Sequence, residues 1–218
     1  MTALTLVIGN KNYSSWSMRA WLLLRWLGLD FEEIVIPLYR ADSREKVLLY
    51  SPTGLLPALL DGELKIWDSF SIILHLADRM PQVWPDDPHK RAFIRSACAE
   101  MHSGFHALRT AMPHNARARD RHVRRTSELA ADIARIEQIW TEARRRFGAD
   151  GAWLAGEFGI GDIMFAPVAS RFRTYGVMLD SPAAEYGAGL LRHPLVEQWF
   201  AEGADDAETI ADAEVGLA

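Results

Sequence analysis

Two adjacent serines, Ser14 and Ser15, stand where a short apolar segment gives way to residues that favour a helix. The N-terminal end of a helix carries unpaired N–H groups and a partial positive charge, and both favour an anion. A hydroxyl there can donate a hydrogen bond to a thiolate, which stabilises the thiolate over the thiol. The pair can therefore activate a bound thiol, and we favour Ser15. The alternative is an ordinary N-cap.

Two further positions have the chemistry to bind a small peptide. Pro57 opens a predicted strand, and a cis Leu56–Pro57 bond would turn the backbone of Leu56 towards a cleft, where an extended peptide could pair with it. Asp68 and Ser69 begin a predicted helix, where a hydroxyl and free N–H groups can bind a carboxylate. The simpler interpretations are a trans proline on an edge strand and an ordinary capping pair.

Histidines and arginines supply weaker candidates. His102 and His106 are four residues apart on one face of a predicted helix, but neither a following Glu nor a third ligand is suitably spaced, so we expect no metal. Arg109, Arg171 and Arg173 could hold an acidic second substrate in a pocket, although most arginines lie on the surface.

Short apolar segments and helix signals alternate over residues 1–79. Strands are predicted at 3–8, 31–36, 55–60 and 63–67, and helices at 18–27, 43–49 and 70–79. The order βαβαββα is that of a small α/β domain, and Asp61-Gly62 between the last two strands is a two-residue hairpin signal.

The alternation of strand and helix signals ends at a segment, residues 80–88, that holds three prolines and is predicted to be a linker. Residues 89–218 carry helical signals at 91–109, 126–147, 161–175 and 194–200, so the second domain is predicted to be all helical. A basic stretch at 117–125 is expected to be a solvated helix face or loop, and the tail from Ala201 to fray.

Composition limits the class of protein. The chain has 218 residues, 24 Lys and Arg against 29 Asp and Glu, a net charge of −5 and a pI near 5.8, which argues against nucleic acid or an anionic membrane as a partner. No apolar run is long enough to span a bilayer, and the first residues do not resemble a targeting signal. A single cysteine, Cys98, cannot form an internal disulfide, so we expect a cytoplasmic protein.

Taken together, these motifs resemble those of the cytosolic glutathione transferases. Ser14-Ser15-Trp16-Ser17-Met18-Arg19 resembles the Ser-Ser-Cys-Xaa-Xaa-Arg motif of the zeta class, and Leu55-Leu56-Pro57-Ala58-Leu59 resembles the segment with the family's cis proline. Gly159-Ile160-Gly161-Asp162 resembles the helix-start box of the family's second domain, with Gly159 in place of Ser or Thr. The resemblance covers nearly the whole chain and is nearest to the serine-type zeta class, in a bacterial member.

The resemblance implies a thioredoxin-like domain at 1–79, a linker at 80–88 and an all-helical domain at 89–218 that shapes the electrophile pocket. Leu56 and Pro57 would bind the cysteinyl unit of glutathione, Asp68 and Ser69 its γ-glutamyl end, and His102, His106, Arg109, Arg171 and Arg173 would lie at the electrophile pocket. Glutathione is the implied cosubstrate, with no metal. The family's usual homodimer and detoxification role are implied as well.

The predicted function is that of a glutathione transferase, in which Ser15 or Ser14 stabilises the thiolate for addition to an electrophilic small molecule. Trp16 replaces the cysteine of the zeta motif, which argues against a thiol transferase. A zeta-like cis-trans isomerase of the maleylacetoacetate type remains an alternative, although Thr174 stands where its substrate-binding arginine is expected. A glutathione-binding or interaction module without chemistry is the other alternative.

Overall fold

The computed structural model describes residues 3–217 of the chain. Strands are β1 (Leu4–Ile8), β2 (Phe31–Val35), β3 (Ala58–Asp61) and β4 (Leu64–Trp67). Helices of the first half are α1 (Ser15–Trp26), α2 (Ser43–Leu48) and α3 (Ser69–Ala77). Helices of the second half are α4 (Pro88–Ser103), α5 (His106–Ala111), α6 (Ser127–Phe147), α7 (Ile160–Thr174), α8 (Ala183–Leu191) and α9 (Pro194–Ala204).

The strands of the described residues form one mixed sheet in the order β2-β1-β3-β4. β1 runs parallel to β2 and antiparallel to β3, and β3 pairs antiparallel with β4. The predicted βαβαββα domain, followed by a helical domain, is confirmed. The third strand begins at Ala58 and not at Leu55, because Pro57 has no N–H for the ladder.

Helix α1 lies between the sheet and the second half of the chain. Met18, Trp21, Leu22 and Leu23 are fully buried, and α1 packs against α3, α7 and α9. The charged side chain of Arg19 is buried too, with its Nε donating to the carbonyl of Met164 in α7 at 3.0 Å. Packing on both sides fixes the N-terminal end of α1 relative to both halves of the chain.

The helix predicted at 91–109 is wrong in one respect: it is two helices. Gly104 is extended, and Phe105 is left-handed with φ 61°, so α4 ends at Ser103 and a new helix axis begins at His106. His102 and His106 therefore lie on different helices, and the expectation that they share one helical face is wrong. Helix α4 starts at Pro88, inside the predicted linker, and the division of the chain at 79 and 89 stays a prediction.

Helix α8 has no counterpart among the predicted elements. Its sequence holds Gly187 and Gly189, which weaken a helix and hide its signal. The packing explains one of them: a Cβ at Gly187 would lie 3.0 Å from the ring of the fully buried Trp140. Close packing against that ring has therefore outweighed intrinsic helix propensity.

The start of α7 is fixed by a buried carboxylate. Asp162 Oδ1 accepts hydrogen bonds from the N–H of Leu154 at 3.0 Å and the hydroxyl of Tyr186 at 2.9 Å. Its Oδ2 accepts from the N–H of Gly159 at 2.9 Å, as the helix-start box predicts. Burial raises the pKa of Asp162 to about 6, so the group is still mainly ionised at pH 7.

We expect Asp162→Ala to lower the free energy of unfolding by about 3 kcal/mol, because three donors, two of them backbone N–H groups, lose their acceptor. Tyr186→Phe removes one of these bonds and should cost about 1 kcal/mol. Urea denaturation followed by circular dichroism measures both values. Equal stability of Asp162→Ala and wild type would show that the box does not hold α7.

Candidate functional site

A cavity of about 610 Å³ lies in front of the N-terminal end of α1. Its walls come from the loop before α2, the segment before β3, the end of α5, helix α7 and the C-terminal segment. The residues that line it are Tyr13, Ser14, Ser15, Trp16, Leu38, Tyr39, Arg40, Ser43, Arg44, Val47, Gly54, Leu55, Leu56, Arg109, Pro113, His114, Arg171, Ile210, Asp212 and Ala213. Both halves of the chain therefore contribute to one site.

The two candidate serines have different hydrogen-bond partners. Ser14 is the N-cap of α1, and its Oγ accepts from the N–H of Ser17 at 3.4 Å. The Ser14 hydroxyl donates to Ser17 Oγ at 2.7 Å, and that oxygen also accepts from the N–H of Gly9 at 3.1 Å. The proton of Ser14 is thus used inside the protein.

Ser15 is the first residue of α1, and its Oγ accepts from Nη2 of Arg171 at 3.2 Å. None of the hydrogen bonds within residues 3–217 takes the proton of the Ser15 hydroxyl. Because Ser15 lines the cavity, that proton can be donated to a ligand there. The geometry separates the roles of the two serines, which the sequence left open.

Arginine side chains surround this end of α1. Arg171 is buried, and its pKa is lowered to about 9 by burial and by the nearby charge of Arg109, so it is positive at pH 7. The guanidinium carbons of Arg19 and Arg109 lie 4.6 and 4.4 Å from the centre of the Trp16 ring. Among the described residues, none of these three arginines forms an ion pair with a carboxylate. The site therefore favours an anionic ligand.

The structure places one of the predicted peptide-binding segments at the cavity and the other outside its lining. Leu56 lines the cavity, and the Leu56–Pro57 peptide bond is cis, as the resemblance implied. Asp68 and Ser69 lie outside the lining. Asp68 caps α3 by accepting from the N–H groups of Phe70 and Ser71 at 2.8 and 3.3 Å, and Ser69 Oγ is buried with no hydrogen-bond partner in residues 3–217.

His102 connects Asp68 to the cavity wall. Its ring lies 5.4 Å from that of Trp16, edge to face, and stacks on that of Phe70 at 5.3 Å. Its Nε2 lies 3.5 Å from Asp68 Oδ2. Burial lowers the pKa of His102, while the charge of Asp68 acts in the opposite direction. The imidazole therefore packs between the start of α3 and the residue that follows Ser15.

Three expected pocket residues do not line the cavity. His102 lies behind Trp16, and His106 is exposed at the start of α5. Arg173 points away, since it donates to the carbonyl of Ala116 at 3.3 Å and lies 4.5 Å from the Phe200 ring. Arg171 and Arg173 are two residues apart, and this spacing directs their side chains to different sides of α7. Of the three arginines, Arg109 and Arg171 line the cavity, and their role in binding a substrate stays a prediction.

The sequence analysis missed other residues of the wall. His114 is buried beside the cavity, and burial together with the charge of Arg171 lowers its pKa well below the usual value, so it is neutral at pH 7. Tyr13 and Arg40 come from loops and Arg44 from the first turn of α2, segments whose composition gives no sign of a site. Ile210 and Ala213 come from the tail that was expected to fray.

The expectation of a frayed tail is wrong. Residues 201–204 belong to α9, and the segment at 205–214, named here the C-terminal strap, packs back on the cavity. Glu208 forms an ion pair with Arg40, and Asn10 Nδ2 donates to Asp206 and Glu208 at 3.3 and 3.1 Å. The free energy of these hydrogen bonds and this ion pair to the first half of the chain exceeds the conformational entropy that favours fraying.

The basic stretch at 117–125 holds the other side of this strap. It is a loop, and its arginines at 117 and 121 are partly buried. Arg117 donates to the carbonyls of Asp206 and Glu208, and Arg121 forms an ion pair with Glu214. Glu214 also accepts from the hydroxyl of Tyr13 and from Asn115, each at 2.7 Å. The expectation of a solvated stretch is therefore wrong for these two arginines.

Within residues 3–217, no group of three His, Cys, Asp or Glu side chains comes together to hold a metal ion. In the same part of the chain, no helix combines the length and the apolar character needed to cross a membrane.

The chain belongs to the glutathione S-transferase family. The family model described as "Glutathione S-transferase, N-terminal domain" matches residues 13–79, and "Glutathione S-transferase, C-terminal domain" matches residues 116–202. These two matches include the residues that line the cavity except those at and after the end of α5 and those of the C-terminal strap, which are Arg109, Pro113, His114, Ile210, Asp212 and Ala213.

Zeta-class proteins are among its relatives. The chain is 37% identical over 102 residues to "Glutathione S-transferase Z2" of Arabidopsis thaliana, covering 44% of this chain and 46% of the relative. It is 35% identical over 98 residues to "Glutathione S-transferase zeta class" of Euphorbia esula, covering 44% of each. The match spans less than half the length of these curated relatives.

Solved structures extend the likeness of fold to the whole chain. A glutathione transferase homologue from Burkholderia gl BGR1 with bound glutathione superposes with a TM-score of 0.71 at 22% identity. The superposition covers 94% of this chain and all of that one. Glutathione is thus the ligand of a protein that shares this fold.

We expect Glu214→Ala to release the C-terminal strap, because Tyr13, Asn115 and Arg121 lose their common acceptor. Hydrogen exchange read by mass spectrometry should show amides at 206–214 exchanging about 5- to 30-fold faster, for a loss of about 1–2 kcal/mol of local stability. Glu100→Ala is the matched control, since it breaks a bidentate pair between α4 and Arg135 of α6 that does not involve the strap. Unchanged exchange at 206–214 in Glu214→Ala would contradict the assignment.

Proposed function

We propose that this chain is a glutathione transferase in which Ser15 activates the thiol of glutathione for addition to an electrophilic small molecule. The observation that carries the proposal is the hydrogen-bond arrangement of Ser15. Its oxygen is occupied by Arg171, while its proton remains available to a ligand in a cavity at the N-terminal end of a helix. This is the arrangement that a thiolate requires.

The proposed reaction needs no covalent enzyme intermediate. Glutathione loses its thiol proton to solvent, and the sulfur is held as a thiolate by the Ser15 hydroxyl and by the positive end of the α1 dipole. The thiolate then attacks an electrophile bound in the same cavity. The addition is faster than in solution because more of the glutathione is present as thiolate and because the two reactants are held close together.

The rest of glutathione would follow the wall towards α3. The Leu56 backbone is proposed to pair with the cysteinyl unit as an added strand does. Asp68 and Ser69 are proposed to hold the ammonium and carboxylate of the γ-glutamyl end. The unsatisfied hydroxyl of Ser69 supports this placement, because a buried polar group without a partner is costly until a ligand or water meets it.

The electrophile is proposed to lie near Trp16 and Pro113. Arg109 reaches this part of the cavity, so an electrophile that carries an acidic group fits it best. The same observation supports a second candidate function, a glutathione-dependent cis-trans isomerase. In that reaction the thiolate adds to a conjugated double bond of an acid, the bond rotates, and glutathione leaves unchanged.

A homodimer in the cytoplasm completes the proposal. Leu64, Trp67 and Leu74 of β4 and α3 expose 57, 43 and 47% of their surface, and a second copy could cover part of this exposed apolar surface. The single, buried Cys98 is consistent with a reducing compartment. Removal of toxic electrophiles is the role that we propose for the reaction.

Ser15→Ala should lower kcat for an electrophile panel by about 10- to 100-fold and change glutathione affinity less, because the lost hydrogen bond acts on the thiolate. Steady-state kinetics and calorimetry give the two quantities. Ser14→Ala is the matched control, which should cost about 1 kcal/mol of stability through the lost N-cap but keep most of the rate. A large loss of kcat in Ser14→Ala with little loss in Ser15→Ala would assign thiol activation to Ser14. Glutathione binding without turnover over the whole panel would favour a binding module.

Asp68→Ala should raise the glutathione KM by about tenfold, because a charge-assisted contact to the γ-glutamyl ammonium is lost, and should leave kcat within about twofold. Asp87→Ala is the control for helix capping. Asp87 caps α4 through the N–H of Lys90 at 2.8 Å and lies outside the cavity lining. If the two variants have equal KM values, the γ-glutamyl site is elsewhere.

A further inference from the structure

We infer that Arg171 is a positioning residue for thiol activation, which orients the Ser15 hydroxyl and places a fixed positive charge directly behind it. The inference rests on the proposed function and assigns part of the activation to a residue of the second half of the chain. Arg171 acts through Ser15, because its guanidinium contacts the oxygen of that hydroxyl.

The guanidinium of Arg171 is held in one orientation. Its Nε donates to the carbonyl of Met112 at 2.8 Å, and its Nη1 to the carbonyl of Pro167 at 3.3 Å. Its Nη2 donates to Ser15 Oγ at 3.2 Å. Each of the three nitrogens thus has an acceptor on a different element. A planar group fixed at three points holds its third acceptor, the serine oxygen, in place as well.

This hydrogen bond changes what the serine can do. Donation from a cation polarises the hydroxyl and strengthens the bond that its own proton makes, as in a hydrogen-bond chain. Because Arg171 contacts one side of the serine oxygen, the serine proton points to the other side, towards the cavity.

The charge of Arg171 is not cancelled inside the protein. The titratable and charged groups around it are Arg19 on α1, Arg109 on α5, His114 beyond α5 and Tyr175 at the end of α7. The arginines are positive, His114 is neutral at pH 7, and burial raises the pKa of Tyr175, so its phenol is neutral as well. None of these groups is an anion. The carboxylates of Asp68 and Asp132 act on Arg19 and Arg109, and Asp212 lines the same cavity, but none of the three forms an ion pair with Arg171.

A buried charge without a counter-charge is costly, and an anion that binds beside it removes part of that cost. The sulfur of glutathione becomes such an anion when it ionises at Ser15. The neighbouring arginines repel Arg171 and so increase the gain from a negative charge at this point. The cationic set therefore favours the thiolate over the thiol, in addition to the single hydrogen bond from Ser15.

The test measures the pKa of the thiol in the protein–glutathione complex, from the ultraviolet absorbance of the thiolate against pH. Arg171→Met removes the charge and the hydrogen bond, Arg171→Gln keeps an N–H donor without charge, and Arg171→Lys keeps the charge. We expect the two neutral variants to raise the thiol pKa by one unit or more. That shift is about tenfold less thiolate at a pH below both values. The acid limb of the kcat/KM profile should move with it.

Arg171→Lys should restore most of the thiol acidity, and Arg173→Met is the matched control. Arg173 is on the same helix, two residues further on, and lies outside the cavity lining, so its variant should keep the wild-type thiol pKa. Circular dichroism and calorimetric glutathione binding confirm that each variant is folded and loaded. If Arg171→Met does not fold, Arg171→Gln decides, because its amide retains a donor.

A wild-type thiol pKa in folded, glutathione-bound Arg171→Gln overturns the inference. So does an Arg173→Met variant with the same shift as Arg171→Met, which would point to a general effect of charge. The proposed function fails in a different way. In that case the wild-type protein itself does not bind glutathione, or binds it with the thiol pKa of free glutathione.

Discussion

The packing of α1 between the sheet and α7 is the constraint on which the site depends. One face of α1 completes the core of the first half, and the other presents Arg19 to α7 and receives Arg171 from it. The N-terminal end of α1 is therefore positioned by two different layers of the molecule. A helix end held from one side only could bind an anion but could not align it with a pocket formed by the other half.

The same packing concentrates positive charge where apolar contact is expected. Arg19 and Arg171 are buried without carboxylate partners among the described residues, and backbone carbonyls of α7 and of Met112 satisfy part of their N–H groups. Such an arrangement lowers the stability of the empty protein and favours the state with an anion in the cavity. Trp16 contributes by placing its ring against the guanidinium groups of Arg19 and Arg109, where a smaller residue would leave them less well packed.

The sequence predicts the local features well, because turns, caps and strand patterns depend on neighbouring residues. The order of elements in the first half, the start of α1 near Ser14 and the box at Gly159 and Asp162 are local features of this kind. The contact between Ser15 and Arg171 joins residues 156 positions apart, and no local pattern reports it. Phe105 breaks a helix by a left-handed conformation that its type does not favour. The acidic tail has the composition of a disordered segment, and only the arrangement of its partners in the fold reveals that it is bound.

The C-terminal strap also makes the cavity dependent on the order in which the chain is made. Ser14, Ser15 and the loop at 37–42 leave the ribosome first, while Ile210 and Ala213, which form part of the same wall, are added more than 160 residues later. The first half can form its sheet early. A nascent chain that has not reached the strap thus presents the serines on an open surface, and a closed binding cleft exists only in a chain translated through residue 214.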